Sequence, residues 1–167
     1  MRDAAHDRIS EAFQNASVTV LRCKTHGTAR PSDAADDRAG LKSAVVALKN
    51  LISGAITLSG VSFGGRQTSV LAANEPDLVD APMLFSYPLH PPGKPTELRS
   101  AHFSDLRTRS LFVPGTKDPF GSIAEVENAL RAITAAHALV VLEGAGHDLK
   151  RGRFDFDPVI RADLCLR

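Results

Sequence analysis

Ser62 stands between glycines in "LSGVSFGGRQTSV", with an apolar run before it and a helical pattern after it. G-x-S-x-G between a strand and a helix suits a nucleophile raised on a sharp turn. Such a turn is strained, and strand and helix approach closely. The positions two before and two after the serine must therefore be nearly free of side chain. Gly60 and Gly64 meet that condition. The helix start brings N–H groups without intrahelical partners near the hydroxyl. The plainer reading is a tight strand–helix turn with an incidental serine. Other glycine-loop readings fail on specifics. A dinucleotide fingerprint requires glycine where Ser62 stands. A phosphate-binding Walker loop requires Gly-Lys-Ser/Thr, and here the glycine pair runs into Arg66-Gln67.

A serine hydroxyl needs a base to become a useful nucleophile. Of the six histidines, His147 is best placed, in the glycine-rich "EGAGHDLK" behind the last apolar strand pattern. His90 comes second, in a proline-rich loop ahead of any suitable acid. His6, His26, His102 and His137 fall in helix or loop contexts where exposure is expected. The base in turn needs a carboxylate that fixes its tautomer. Asp118, in "VPGTKDPFG", directly follows a strand pattern and is stiffened by Pro119. A turn or helix-capping aspartate is the alternative for it. Asp148 is adjacent to His147 in sequence, and adjacent side chains diverge. Asp77 and Asp80 follow a helix and belong to the opposite rim.

The elements that must position these residues alternate. A helix is expected near Ala4–Phe13 and a strand over Ser17–Cys23. A loop of Gly, Pro, Ser and Asp follows, over "KTHGTARPSDAADD". The next helix, "RAGLKSAVVALKNLI", buries Leu41, Val45, Leu48 and Ile52. Strands are then read in "GAITLSG", "APMLFSYP", "RSLFVPG" and "ALVVLEG", with helices in "GGRQTSVLAANE" and "SIAEVENALRAI". Gly121 or Ser122 caps the latter, and Asp157-Pro158 opens a last helix. Prolines forbid a regular helix through "SYPLHPPGKPTELRS". Apolar strands alternating with helices predict an α/β fold, a mostly parallel sheet of about five strands covered on both faces. Ligand sites of such sheets lie outside the carboxyl ends of the strands. Ser62, Asp118 and His147 all fall there, in the order nucleophile, acid, base.

The totals agree with a single domain over 1–167. The 167 residues are 43% hydrophobic and 23% charged, with a net charge of +1. No basic face or charge block points to nucleic acid. No run approaches the roughly 18 apolar residues of a membrane span. The start carries spread charges and no apolar core, unlike a signal peptide. Cys23 and Cys165 are far apart and read as reduced, structural residues. The expectation is a cytoplasmic globular domain without metal or cofactor.

The stretches "GVSFGGRQTS", "SYPLHPPGKPTELR", "LFVPGTKDPFGS" and "EGAGHDLK" resemble the α/β-hydrolase superfamily in its dienelactone-hydrolase-like branch. The similarity is to small bacterial hydrolases related to an animal testis-expressed protein and a chromatin-complex subunit. It spans roughly Val18 to Lys150. It implies a three-layer sandwich with Ser62 as nucleophile, Asp118 as acid and His147 as base, and Tyr87, His90 and Phe120 bordering the pocket. Good leaving groups demand least of such a site, so a small-molecule ester or thioester is the expected substrate. One oxyanion-hole N–H would come from Phe63. The other comes, in the family, from a His-Gly-type loop behind an earlier strand. This chain starts near the first helix, so that donor and the N-terminal strands are expected to be missing, with a rate deficit of about 10²–10³.

The missing strand would leave a gap between Ser17–Cys23 and the nucleophile strand. Three outcomes are open. The flanking strands pair, a second copy fills the gap as a homodimer, or Met1 is an internal methionine of a longer product. Pairing of the flanking strands is the expectation for the chain itself. A scaffold or binding protein that keeps the hydrolase shape is the alternative function. Arg66 opposes the dipole in the first turn of its helix, which a carboxylate on the loop above or an acidic substrate would explain.

Overall fold

The computed structural model describes residues 4–24, 31–150 and 152–166. Its four strands run in chain order across one parallel sheet: β1 (Thr57–Val61), β2 (Ala81–Phe85), β3 (Ser110–Val113) and β4 (His137–Leu139). The five helices are α1 (Ala4–Asn15), α2 (Pro31–Lys49), α3 (Phe63–Asn74), α4 (Ile123–Leu130) and α5 (Asp157–Leu166). A short 3₁₀ turn covers Phe103–Asp105.

Side chains alternate across the central strands and so divide the core in two. Met83, Phe85, Leu111 and Val113 face one side, where they meet Ile9 and Phe13 of α1 and Val159 and Ile160 of α5. Leu84 and Phe112 face the other, against Ala72 of α3 and Val126 and Leu130 of α4. Leu41 and Val45 of α2 pack with Leu71 of α3 and with Ile56 at the entry to β1. β2 and β3 are buried along their whole length, as strands covered on both faces must be. The result is the three-layer α/β sandwich expected.

Several boundaries are corrected. The run Ser17–Cys23 forms no strand. Over 18–23 the chain carries no regular structure, although Val18 and Val20 pack partly against the core. A β-branched run becomes a strand only where a sheet edge accepts its backbone, and among the described residues none does. The sheet therefore has four strands rather than five, and β1 lies at its margin instead of pairing across a closed gap. Helix α2 begins at Pro31, inside the stretch read as loop. Proline suits the first helical position, where its missing N–H is not needed. The rest of that loop, with His26, lies partly outside the described residues. Ile52 falls beyond the end of α2 and is exposed. Cys23 and Cys165 are free and exposed rather than packed.

Ser122, of the two caps expected, starts α4. Its hydroxyl accepts from the Glu125 N–H while the Glu125 carboxylate accepts from the Ser122 N–H.

Candidate active site

The site grows from the carboxyl ends of three neighbouring strands. Val61, Phe85 and Val113 stand in one register across β1, β2 and β3. The first residue past each of the first two strands donates its N–H to the last carbonyl of the next. Ser62 donates to Phe85 O at 2.9 Å, and Ser86 to Val113 O at 3.0 Å. Both serines adopt left-handed backbone, with φ 52° and 45°. The chain thus leaves each strand abruptly, and the side chain of Ser62 is lifted onto the rim.

Glycine makes the first turn possible, although not quite where the motif suggests. A Cβ on Gly60 would lie 2.4 Å from the Gly64 carbonyl carbon. One on Gly65 would lie 2.9 Å from Gly60 O. Gly64 has open space at its own Cβ direction. The close approach is therefore between Gly60 and the Gly64–Gly65 backbone, and Gly65 carries the second steric requirement.

Ser62 occupies the N-cap position of α3 yet makes no side-chain cap. Its Oγ lies 2.6 Å from His147 Nε2. On the far side of the imidazole, Nδ1 is 2.9 Å from both oxygens of Asp118. An ionised carboxylate only accepts, so Nδ1 carries the ring proton. Nε2 is then left to accept from the serine hydroxyl. The Asp118 side chain is 2% exposed and that of His147 is 18% exposed. Asp118 also serves its own turn, because Oδ1 accepts the Phe120 N–H at 2.9 Å. The two loops are joined by backbone. Lys117 N–H donates to Ala145 O at 2.9 Å, Thr116 N–H to Leu142 O at 3.2 Å, and Gly144 N–H to Thr116 Oγ1 at 2.8 Å.

Phe63 opens α3, so its N–H is among the first-turn groups without an intrahelical acceptor. Arg66 forms no ion pair among the described residues, and its buried Nε has no hydrogen-bond partner. Among the described residues no carboxylate of the loop above pairs with it.

Tyr87 and His90, expected at the pocket border, are both buried. Tyr87 is 4% exposed, with its ring among Phe103 and Phe112, and its hydroxyl donates to Arg99 O at 2.7 Å. Burial pushes this phenol up to about 12. The left-handed turn at Ser86 breaks the alternation past β2, so that Tyr87 joins the α3–α4 side of the core instead of following Phe85. His90 is 5% exposed, with Nδ1 2.8 Å from Pro91 O and Nε2 3.5 Å from the Glu125 carboxylate, and its N–H donates to Phe120 O at 3.1 Å. Phe120 packs on His147. It is half-buried and lies flat against His147, with ring centroids 3.9 Å apart and planes 26° apart.

His102 departs from the exposure expected of it. It is half-buried, with Nε2 2.8 Å from Ser69 Oγ on the second turn of α3, and Ser69 donates to Arg66 O. Burial, then the Arg66 cation, holds this imidazole down to about 4, with Asp105 opposing. Nothing in the sequence marks this pair, because Ser69 and His102 are 33 residues apart.

A strand-end serine on a left-handed turn, a parallel sheet and helices on both faces define a class of fold. The sequence matches a family model for an alpha/beta hydrolase domain over residues 13–155, and the chain belongs to that family. Among solved structures it is similar to an alpha-beta serine hydrolase homologue from Coxiella burnetii, at TM-score 0.66 and 18% identity. That match covers 100% of this chain and 76% of the other. It is similar to the esterase domain of a Rhodothermus marinus protein, at TM-score 0.67 and 19% identity, covering 90% and 73%. It is also similar to dienelactone hydrolase from Anabaena variabilis, at TM-score 0.59 and 21% identity, covering 80% and 58%. At these identities the likeness is one of fold. A search of curated proteins found no match.

Proposed function

We propose that the chain is a serine hydrolase that cleaves carboxylic esters or thioesters through an acyl-enzyme. The observation that carries this reading is the unbroken line from Ser62 Oγ through the His147 imidazole to Asp118, at 2.6 and 2.9 Å. The proton of Ser62 passes to Nε2 as Oγ attacks the carbonyl carbon. The carbonyl electron pair moves onto oxygen, where the Phe63 N–H faces the new charge. As the tetrahedral species collapses, the leaving alkoxide or thiolate takes the proton from Nε2. Water then attacks the acyl group with Nε2 as base, and the acid leaves. Throughout, Asp118 keeps Nδ1 protonated and stabilises the imidazolium.

Esters and thioesters are favoured because good leaving groups demand least from a site with one identified oxyanion donor. Solved structures of similar fold include an esterase domain and a dienelactone hydrolase. The test is a fluorophosphonate probe with mapping of the adduct, alongside p-nitrophenyl acetate turnover. Labelling at Ser62, and a loss of about 10³-fold or more in Ser62→Ala, is expected. An unlabelled Ser62, or equal turnover by Ser62→Ala, would overturn the assignment. That only one oxyanion donor is identified also motivates a second reading, a binding protein in hydrolase form. That reading requires a partner retained equally by wild type and Ser62→Ala, with no turnover on a broad ester panel.

A further inference from the structure

We propose that Phe120 is a positioning residue for His147, bracing the imidazole from one face rather than shaping the substrate pocket. This rests on the reading of Ser62, His147 and Asp118 as the reacting line.

His147 is tethered at Nδ1 by Asp118 and at Nε2 by Ser62. A hydrogen bond resists stretching along its line more than displacement across it. Rotation about the Cβ–Cγ bond carries both ring nitrogens out of the imidazole plane, across these two contacts, and is the softer motion. It takes Nε2 off the line of the serine proton. Restraint out of the plane must come from a group lying against a face. Phe120 is such a group, 3.9 Å from the imidazole and inclined by 26°.

The brace is itself held. The Phe120 N–H donates to Asp118 Oδ1 at 2.9 Å. Its carbonyl accepts the His90 N–H at 3.1 Å. Two residues on, the reciprocal bonds of Ser122 and Glu125 fix the start of α4. Phe120 therefore ties the carboxylate by its backbone and the imidazole by its side chain. The electron-rich ring face also favours the imidazolium that forms when the serine proton arrives. A flat face is needed at this position, and bulk alone does not suffice.

The experiment compares Phe120→Leu, which keeps bulk and loses the flat face, with Phe120→Trp, which keeps one. Steady-state kinetics are run on p-nitrophenyl esters of increasing acyl length. The imidazole protons of His147, assigned by their loss in His147→Gln, are followed by NMR without substrate. In the wild type, ring current from Phe120 shifts the His147 carbon-bound protons upfield. Phe120→Leu is expected to remove that shift and broaden the Nδ1 proton. It should lower kcat by about 10–100-fold with KM within about 2-fold. Phe120→Trp should restore most of both. A change confined to KM that varies with acyl length would overturn the proposal, as would unshifted His147 protons in the wild type. The wild-type spectrum alone decides the stack if Phe120→Leu does not fold. Absent turnover with an unlabelled Ser62 would remove the hydrolase reading, while the substrate-free spectra still decide the brace.

Discussion

Ser62, the proposed nucleophile, also carries backbone strain. Its φ of 52° and ψ of −117° are conformations that a side chain opposes. Ser62→Ala and Ser62→Gly both lose the hydroxyl, but only glycine relaxes the backbone. Ser62→Gly should be more stable than Ser62→Ala by about 1 kcal/mol in urea unfolding. Equal midpoints would mean that the turn stores no strain. At this scale the sequence was informative wherever a residue followed an apolar run. Ser62, Asp118 and His147 could be named because each sits just past a strand pattern, and the structure brings them within hydrogen-bond reach. The burial of Tyr87 and His90 was not legible, for a physical reason. Past β2 the chain turns inward, and which way an irregular segment faces depends on tertiary contacts such as Tyr87 Oη to Arg99 O. The stack of Phe120 on His147 is equally a product of folding, since the rings are 27 positions apart in the numbering.

Among elements, the β1–α3 unit sets the accuracy of the site. Its tolerance is uneven. Gly60→Ala would drive a methyl group into the Gly64 carbonyl, where backbone must move, and should cost about 3 kcal/mol. Gly64→Ala has room and lies within the helix. It should leave stability unchanged or raise it by about 0.5 kcal/mol. Thermal or urea unfolding of the two variants checks this, and equal losses would contradict the geometry. The motif alone gave Gly64 the role that belongs to Gly65, because spacing does not reveal which glycine backbone the neighbour approaches. Helices were legible from their apolar spacing, and β2 and β3 from unbroken apolar runs. Ser17–Cys23 looked the same and is no strand. A strand is a property of two backbones, and the sequence of one says nothing of the other.

Across the whole molecule, long-range pairs tie the rim to the core. His102 joins the 3₁₀ turn to α3 through Ser69 and is kept neutral by burial and by Arg66. Its folded value, about 4, lies below the ordinary value near 6.5. Between these pH values the unfolded chain binds the extra proton, so stability is complete above about 6.5 and falls as pH drops toward 4. Melting temperatures at pH 7, 5.5 and 4.5 should decline less steeply for His102→Asn than for wild type. Parallel slopes would show that His102 does not titrate with unfolding. One placement has a wider consequence. β1 is bonded to β2 alone among the described residues, and its start is clamped where Ile56 N–H meets Asp80 and Asp80 N–H meets Ile56 O. In a parallel ladder alternate amides point to opposite neighbours, so those of β1 turned away from β2 have no ladder acceptor there. They should exchange with deuterium far sooner than the amides of β2 and β3. The serine rides on this half-anchored strand. On warming, the turnover proposed for Ser62 should fade while circular dichroism still reports a folded protein, so that the proposed site ages before the fold does.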